Sequence, residues 1–363
     1  MKLAYYITSH GFGHGLRSCV ICNCLSPDVD IVLKTLLPES FFKEEIFRQY
    51  QLVPGAFDCG CIQLDSVTVD KRKTMASYKS IADNNARFLD REAKWCVDNN
   101  IDIIASDIVP FAFEAAFKAG IPSVAITNFT WFDIYRDYCD SFPEFLPCLE
   151  KIKRQYDLAD LLLELTPANS MDYFEKRKKI LPVGRVGRNI REKILEFFGI
   201  NHNKRIGLIY NGTFGMDSMP WSRLEQFGEW EFFGLHEIPG SPKNFHLVSK
   251  REFRYQDMIA SADVMLSKIG YGVYAECLLN GTPLIYLPRE GFAEYPVLAG
   301  AMEKSGTGYC LCREDYYNLN WDAALETVLS KGKPDPVYSC GAADCAAEIE
   351  NIIRNRGHNS LLT

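Results

Sequence analysis

The chain has 363 residues, enough for two domains, because single cores rarely grow past about 250–300 residues. Apolar residues make up 47% and charged residues 24%, an ordinary balance for a globular protein, and no stretch approaches the ~20 apolar residues of a membrane span. The net charge of −7 argues against a nucleic-acid partner, which would leave a basic footprint.

Met1-Lys2-Leu3-Ala4-Tyr5-Tyr6-Ile7-Thr8 reads as a first β-strand. Its apolar run is too short for a signal peptide, and a Gly/His loop follows where a cleavage site would lie. The expected location is therefore cytoplasmic. Further strands are predicted near 29–34, 101–105, 122–127 and 160–165. Helices are predicted from about Gly13 and over 75–99, 109–119 and 144–158. The strands at 101–105 and 123–127 are β-branched and apolar on both faces, as buried parallel strands are. The basic run Lys176-Arg177-Lys178-Lys179 reads as a solvated helix end.

A Gly/Arg/Asn-rich stretch at 184–189 marks a boundary, giving domains 1–185 and 186–363. Strands resume near 206–210, 245–248, 263–267 and 283–287, and a final helix at about 341–356 could pack on either domain. The class is α/β, with two open parallel sheets. Ligands of such sheets bind beyond the carboxyl ends of the strands, so two facing domains would enclose a cleft.

The first loop, Ser9-His10-Gly11-Phe12-Gly13-His14-Gly15-Leu16-Arg17, joins a strand to a helix. Its glycines Gly11 and Gly13 would let a ligand approach the backbone, next to the free N–H groups of a helix start. The spacing is not the dinucleotide GxGxxG, and the second strand ends in Leu33-Lys34 without a ribose-binding acid, which counts against a nicotinamide enzyme. His10 and His14 are two of only six histidines. A neutral imidazole there could take a proton from a hydroxyl, or simply bond the loop backbone.

Downstream, 258–276 reads helix, strand, glycine turn, helix. Gly270, Tyr271 and Gly272 place helix-start amides at a strand end, suited to a diphosphate, with Lys268 beside them. Asp28-Val29-Asp30 has the DxD pattern of metal-dependent sugar transferases but precedes its strand, so no metal is assigned. Thirteen cysteines, an odd number, lack paired CxxC spacing and read as free thiols in a reducing compartment.

The segment from Tyr6 to Arg17, with Ser106-Asp107-Ile108-Val109-Pro110 and Thr127-Asn128-Phe129-Thr130-Trp131, resembles the glycosyltransferase-like domain that precedes the kinase of plant L-arabinokinases. More distantly the chain resembles the bacterial N-acetylglucosaminyltransferase that completes lipid II. The resemblance implies GT-B architecture: two Rossmann-like domains facing across a cleft, with the sugar nucleotide mostly on the C-terminal one. It implies that Glu276 accepts the ribose hydroxyls, that Glu290 and Glu294 meet the donor sugar, and that Asn211, Gly212 and Thr213 face the phosphates. Arg17, Asn128 and Trp131 would lie on the acceptor side. Asp107 would orient a histidine or bind an acceptor hydroxyl, or else cap the helix near Val109.

The implied activity is metal-independent, inverting glycosyl transfer to an unidentified acceptor hydroxyl, with a nucleotide sugar, UDP-linked, as co-substrate and no other cofactor. Competing readings are a non-catalytic nucleotide-sugar sensor and a sugar-nucleotide epimerase. No nucleic-acid partner is expected, and peripheral membrane contact stays open.

Overall fold

The computed structural model describes residues 1–64, 68–210, 219–337 and 339–359. The chain divides into two compact units, one of residues 1–62, 69–183 and 340–363, the other of residues 63–68 and 184–339.

The first unit runs β1 (Lys2–Ile7), α1 (Phe12–Cys24), β2 (Asp30–Thr35), α2 (Glu39–Glu45), β3 (Gln51–Pro54), α3 (Lys71–Asp98), β4 (Ile103–Asp107), α4 (Phe111–Ala119), β5 (Ser123–Thr127), α5 (Trp131–Ser141), α6 (Leu146–Tyr156), β6 (Leu161–Leu165) and β7 (Arg177–Ile180). Its seven strands pair in the order β3-β2-β1-β4-β5-β6-β7, all parallel. The order reverses between β1 and β4, so the loops after Ile7 and Asp107 diverge at the position where such sheets leave a crevice. Ala4, Tyr6, Val32, Ile104 and Phe111 form one face's core.

Two local signals are stronger here than the sequence reading allowed. Asp70 caps α3 by accepting the Lys73 N–H over 2.9 Å, which starts that helix before the expected residue 75. Thr130 and Asp133 form a capping box on α5, a helix the sequence reading left out. One expectation is overturned. The run at 176–179 is not a helix end: residues Arg177 to Lys179 belong to edge strand β7, where Arg177 pairs with Asp172 and Lys178 with Glu348. Charges of this kind keep a sheet edge from recruiting other strands.

The second unit runs α7 (Arg191–Phe198), β8 (Arg205–Tyr210), β9 (Trp230–Gly234), β10 (Phe245–Leu247), α8 (Tyr255–Ser261), β11 (Val264–Lys268), α9 (Tyr271–Asn280), β12 (Leu284–Leu287), α10 (Glu294–Ser305), β13 (Gly308–Cys310), α11 (Arg313–Tyr317) and α12 (Asp322–Lys331). Its strands pair in parallel in the order β10-β9-β8-β11-β12-β13. The order reverses between β8 and β11, which places the Lys268 turn at this sheet's own switch point. Trp221, Trp230 and Trp321 fill the core against Leu266 and Ile285. The last helix, α13 (Ala342–Asn359), packs on α1 and β4 in the first unit.

Candidate functional site

Asp107, the last residue of β4, is wholly buried, and its carboxylate accepts four hydrogen bonds. Arg17 Nε reaches its Oδ2 and Arg17 Nη2 its Oδ1, both at 2.6 Å, while Ser18 Oγ adds a bond of 3.3 Å. His14 Nδ1 lies 2.8 Å from Oδ1. Arg17 also donates through Nη1 to Asn128 Oδ1 at 2.6 Å and through Nη2 to Thr127 Oγ1 at 3.3 Å. Burial alone would raise the Asp107 carboxyl, but the Arg17 guanidinium and His14 outweigh it and hold the group below the usual carboxylate range.

The His14 tautomer follows. Nδ1 stands near both the carboxylate and Arg17 Nη2, at 3.1 Å. The carboxylate only accepts and the guanidinium only donates, so both cannot bond Nδ1 in one state. The carboxylate contact is shorter, and Nη2 has oxygens of its own, so Nδ1–H donates to Asp107. Nε2 then carries a lone pair, the arrangement of a histidine readied as a base.

Directly after Asp107, Ile108 takes φ 67°, left-handed backbone that a β-branched residue rarely adopts. The Tyr156 hydroxyl donates to its carbonyl and holds the kink. Asp107 does not cap the next helix, since α4 begins at Phe111 behind Pro110 with no side-chain cap.

Gly11 caps α1 in extended backbone and Gly13 does not adopt positive φ. A Cβ on either would meet nothing within 4 Å, so open space adjoins both. Gly15 is the tight position, where a Cβ would stand 2.6 Å from Leu37 and 2.7 Å from Phe41. Trp131 is wholly buried, stacked on Tyr135, and donates from Nε1 to Asp58 over 2.8 Å. Arg17 and Asn128 are likewise buried, with Arg17 bonded to Asp107 and Asn128 bonded to Arg17. Asp58 was missed by sequence reasoning. It also accepts from Thr8 Oγ1 at 2.7 Å, and burial raises its carboxyl despite both bonds.

In the second unit, Lys268 ends β11 two residues before Gly270, the N-cap of α9. Burial, with the Arg289 charge nearby, lowers the Lys268 ammonium to about 8. Gly270 has no side-chain cap and open space where a Cβ would be, while Tyr271 is buried and Gly272 lies in the first turn. Glu276, five residues into α9, is 5% exposed and accepts from Arg185 Nε at 2.6 Å and Nη2 at 3.3 Å. In the sequence Arg185 stood out only as part of the boundary stretch at 184–189. Glu290 is exposed in the loop after β12, whereas Glu294 is buried at the first position of α10. Asn211, Gly212 and Thr213 lie outside the described residues.

Asp28 and Asp30 are exposed at the amino end of β2, opposite the carboxyl-end loops. Among the described residues no His/Cys/Asp/Glu cluster could hold a metal ion, and no helix is long and apolar enough to cross a membrane. All thirteen cysteines are free thiols.

No protein-family model matches the chain. It is 30% identical over 338 residues to L-arabinokinase of Arabidopsis thaliana, a match covering 91% of this chain and 32% of that protein. The chain thus spans about a third of the length of this curated relative. Among solved structures, the glycotransferase of kitacinnamycin superposes with a TM-score of 0.63 at 18% identity, over 98% of this chain and 95% of its own. The Phytolacca americana UGT2 complexed with UDP-2-fluoroglucose and pterostilbene gives 0.64 at 11%, over 97% and 99%. A putative UDP-N-acetylglucosamine 2-epimerase from Listeria monocytogenes gives 0.59 at 14%, over 99% and 97%. The fold is that of the GT-B glycosyltransferases. Each unit carries one of the two residue groups described above, His14 on α1 and Asp107 on β4 in the first, Lys268 on β11 and Glu276 on α9 in the second.

Proposed function

We propose that this protein is a glycosyltransferase that moves a sugar from a nucleotide sugar, UDP-linked, to an acceptor hydroxyl, with inversion and without a metal. The His14–Asp107 pair carries the reading. His14 Nε2 takes the proton of the acceptor hydroxyl, and Asp107 steadies the imidazolium that forms. The acceptor oxygen attacks the anomeric carbon from the side opposite the diphosphate, the bond from the anomeric carbon to the leaving oxygen breaks, and the nucleoside diphosphate leaves with that electron pair. Lys268 and the start of α9 stabilise the departing charge, the task a metal performs elsewhere. Glu276 holds the ribose, and Glu290 and Glu294 the donor sugar. Asn211, Gly212 and Thr213 complete the phosphate side, and Gly11 and Gly13 leave room for the acceptor.

The full chemistry of L-arabinokinase does not transfer, because this chain spans a third of it. The epimerase fold neighbour keeps a second reading in play, isomerisation of the nucleotide sugar itself. A thermal-shift panel of nucleotide sugars finds the donor, since ligand at 100 times its Kd stabilises by about 2.7 kcal/mol. Single turnover of that donor then decides. A transferase consumes it only with acceptor present, an epimerase isomerises it alone, and a sensor leaves it intact.

A further inference from the structure

The charge on Asp107 is already matched. Arg17 bonds both of its oxygens, so the pair is neutral before His14 is counted. A base that turns into an imidazolium beside a neutral buried pair needs a negative charge from elsewhere. Asp58 is the second carboxylate of the cluster. It is 5% exposed and accepts from neutral groups, Thr8 Oγ1 at 2.7 Å and Trp131 Nε1 at 2.8 Å. Both donors tie it to the site. The Thr8 backbone N–H donates to the Asp107 carbonyl at 3.3 Å. The Trp131 ring meets Phe129 edge-on at 5.8 Å, and Phe129 meets the His14 ring edge-on, also at 5.8 Å.

The other titratable groups around this pair are neutral at pH 7. Burial, with the Asp58 charge adding to it, pushes the Cys59 thiol up to about 12 and Tyr78, Tyr135 and Tyr156 well above the usual phenol range. Burial and the Asp107 charge do the same to Tyr5. The His10 ring lies 6.5 Å from that of His14, and its Nδ1 accepts the Cys61 backbone N–H at 3.1 Å, which an imidazolium could not do. Of the charged groups that act on Asp58, His14 is the strongest and Asp107 the next.

We infer that Asp58 is the counter-charge of His14: it stays ionised without bonding the imidazole and offsets the positive charge that His14 acquires with the acceptor's proton, while Asp107 fixes the ring's orientation and tautomer. This rests on the reading of His14 as the base. Asp58 acts through His14 and touches no substrate, so it is a positioning residue. Two aspartates thus divide what a single aspartate does in a serine-protease triad. An asparagine would serve Thr8 and Trp131 as well, with Nδ2 donating to the hydroxyl and Oδ1 accepting from the indole, so these two bonds do not by themselves call for a carboxylate.

Asp58→Asn removes the charge and keeps the shape. Ionised Asp58 favours the imidazolium, so in the variant His14 should take its proton at a lower pH. Long-range ¹H–¹⁵N spectra of ¹⁵N-histidine-labelled protein, with His14 assigned by His14→Gln, should show its midpoint falling by about one pH unit, with the Nδ1–H tautomer kept above it. An unchanged midpoint overturns the inference. A second measurement needs no substitution at Asp58. In the parent protein its carboxyl ¹³C resonance, assigned through its own backbone, should report an ionised group at pH 7.5 and an inflection where His14 titrates. A protonated Asp58 at that pH, or a resonance indifferent to His14, overturns the inference even if Asp58→Asn fails to fold.

Turnover supplies the third reading, with the donor found by thermal shift and a panel of free monosaccharides and phenols as acceptors. In Asp58→Asn the acid limb of kcat/KM should move to lower pH by the same interval, and the plateau should fall roughly three- to tenfold as the base weakens. A lower plateau with the limb unmoved marks a merely structural role and overturns the inference. If no nucleotide sugar is consumed, the transferase reading falls, and the two titrations still decide whether Asp58 and His14 are coupled.

Discussion

Nε of Arg185 donates to Oε1 of Glu276 over 2.6 Å, and the two side chains are only 11% and 6% exposed. Removing one partner of so dry a pair leaves a buried charge alone. Arg185→Ala is therefore expected to cost about 3 kcal/mol of stability, read from urea unfolding. A loss within the error of the method would show that water enters this site freely.

Glu276→Ala separates the carboxylate's structural work from its proposed hold on the ribose. Calorimetry should show weaker nucleoside diphosphate binding with little change for free sugar. Equal nucleotide affinity in the variant and the parent would take Glu276 out of the nucleotide site.

Lys268 supplies a pH signature. Its ammonium is lowered to about 8, so the charged form prevails below that value and is lost as pH rises through it. Anion binding favours the charged form, so nucleoside diphosphate affinity should fall as pH climbs past about 8. Lys268→Arg should carry full affinity to higher pH, because a guanidinium stays charged. A flat profile from pH 7 to 9 in the parent would separate Lys268 from the diphosphate.

His14→Ala should cut turnover by about 10²–10⁴, the usual worth of a general base, with donor affinity little changed. Asp107→Asn should also lower turnover, because an amide can present its N–H to Nδ1 and favour the wrong tautomer. Full activity in His14→Ala with none in Asp107→Asn would make the aspartate the base, against its complete burial.

Turnover should survive EDTA, given that the Asp28 and Asp30 side chains sit at the far end of β2 from the carboxyl-end loops. Loss in chelator with rescue by manganese or magnesium would require a metal-assisted leaving group.

The sequence made the central strands and the two strand-to-helix turns legible because their signals are local. Apolar β-branched runs mark β4 and β5, and glycines after β1 and β11 mark the turns that present His14 and Lys268. Strand β7 was hidden because its exposed edge residues Arg177, Lys178 and Lys179 carry charge where a strand signal would be apolar. The contacts made by Asp58, Gly60 and Arg185 were hidden for another reason. Each acts on a partner 50 or more residues away: Asp58 on Thr8, Cys61 beside Gly60 on His10, and Arg185 on Glu276. No spacing rule reaches that far, and a lone arginine or glycine in a loop looks like any other.

The return of α13 to the first unit makes that unit discontinuous in sequence. The chain leaves it after Val183 and rejoins it at Cys340, and the Gly341 N–H donates to the Pro182 carbonyl over 3.1 Å, so the outgoing and returning segments lie side by side. Apart from residues 63–68, the second unit is thus a cassette inserted between residues 183 and 340 of the chain. Cutting the chain at the apparent boundary would strip α13 from α1 and expose Cys345 and Ile349, whereas joining residue 182 to 341 by a short turn would excise residues 183–340 and leave α13 in place. Replacement of the 184–339 stretch in this chain is open by the same route, as one insertion instead of two separate fusions.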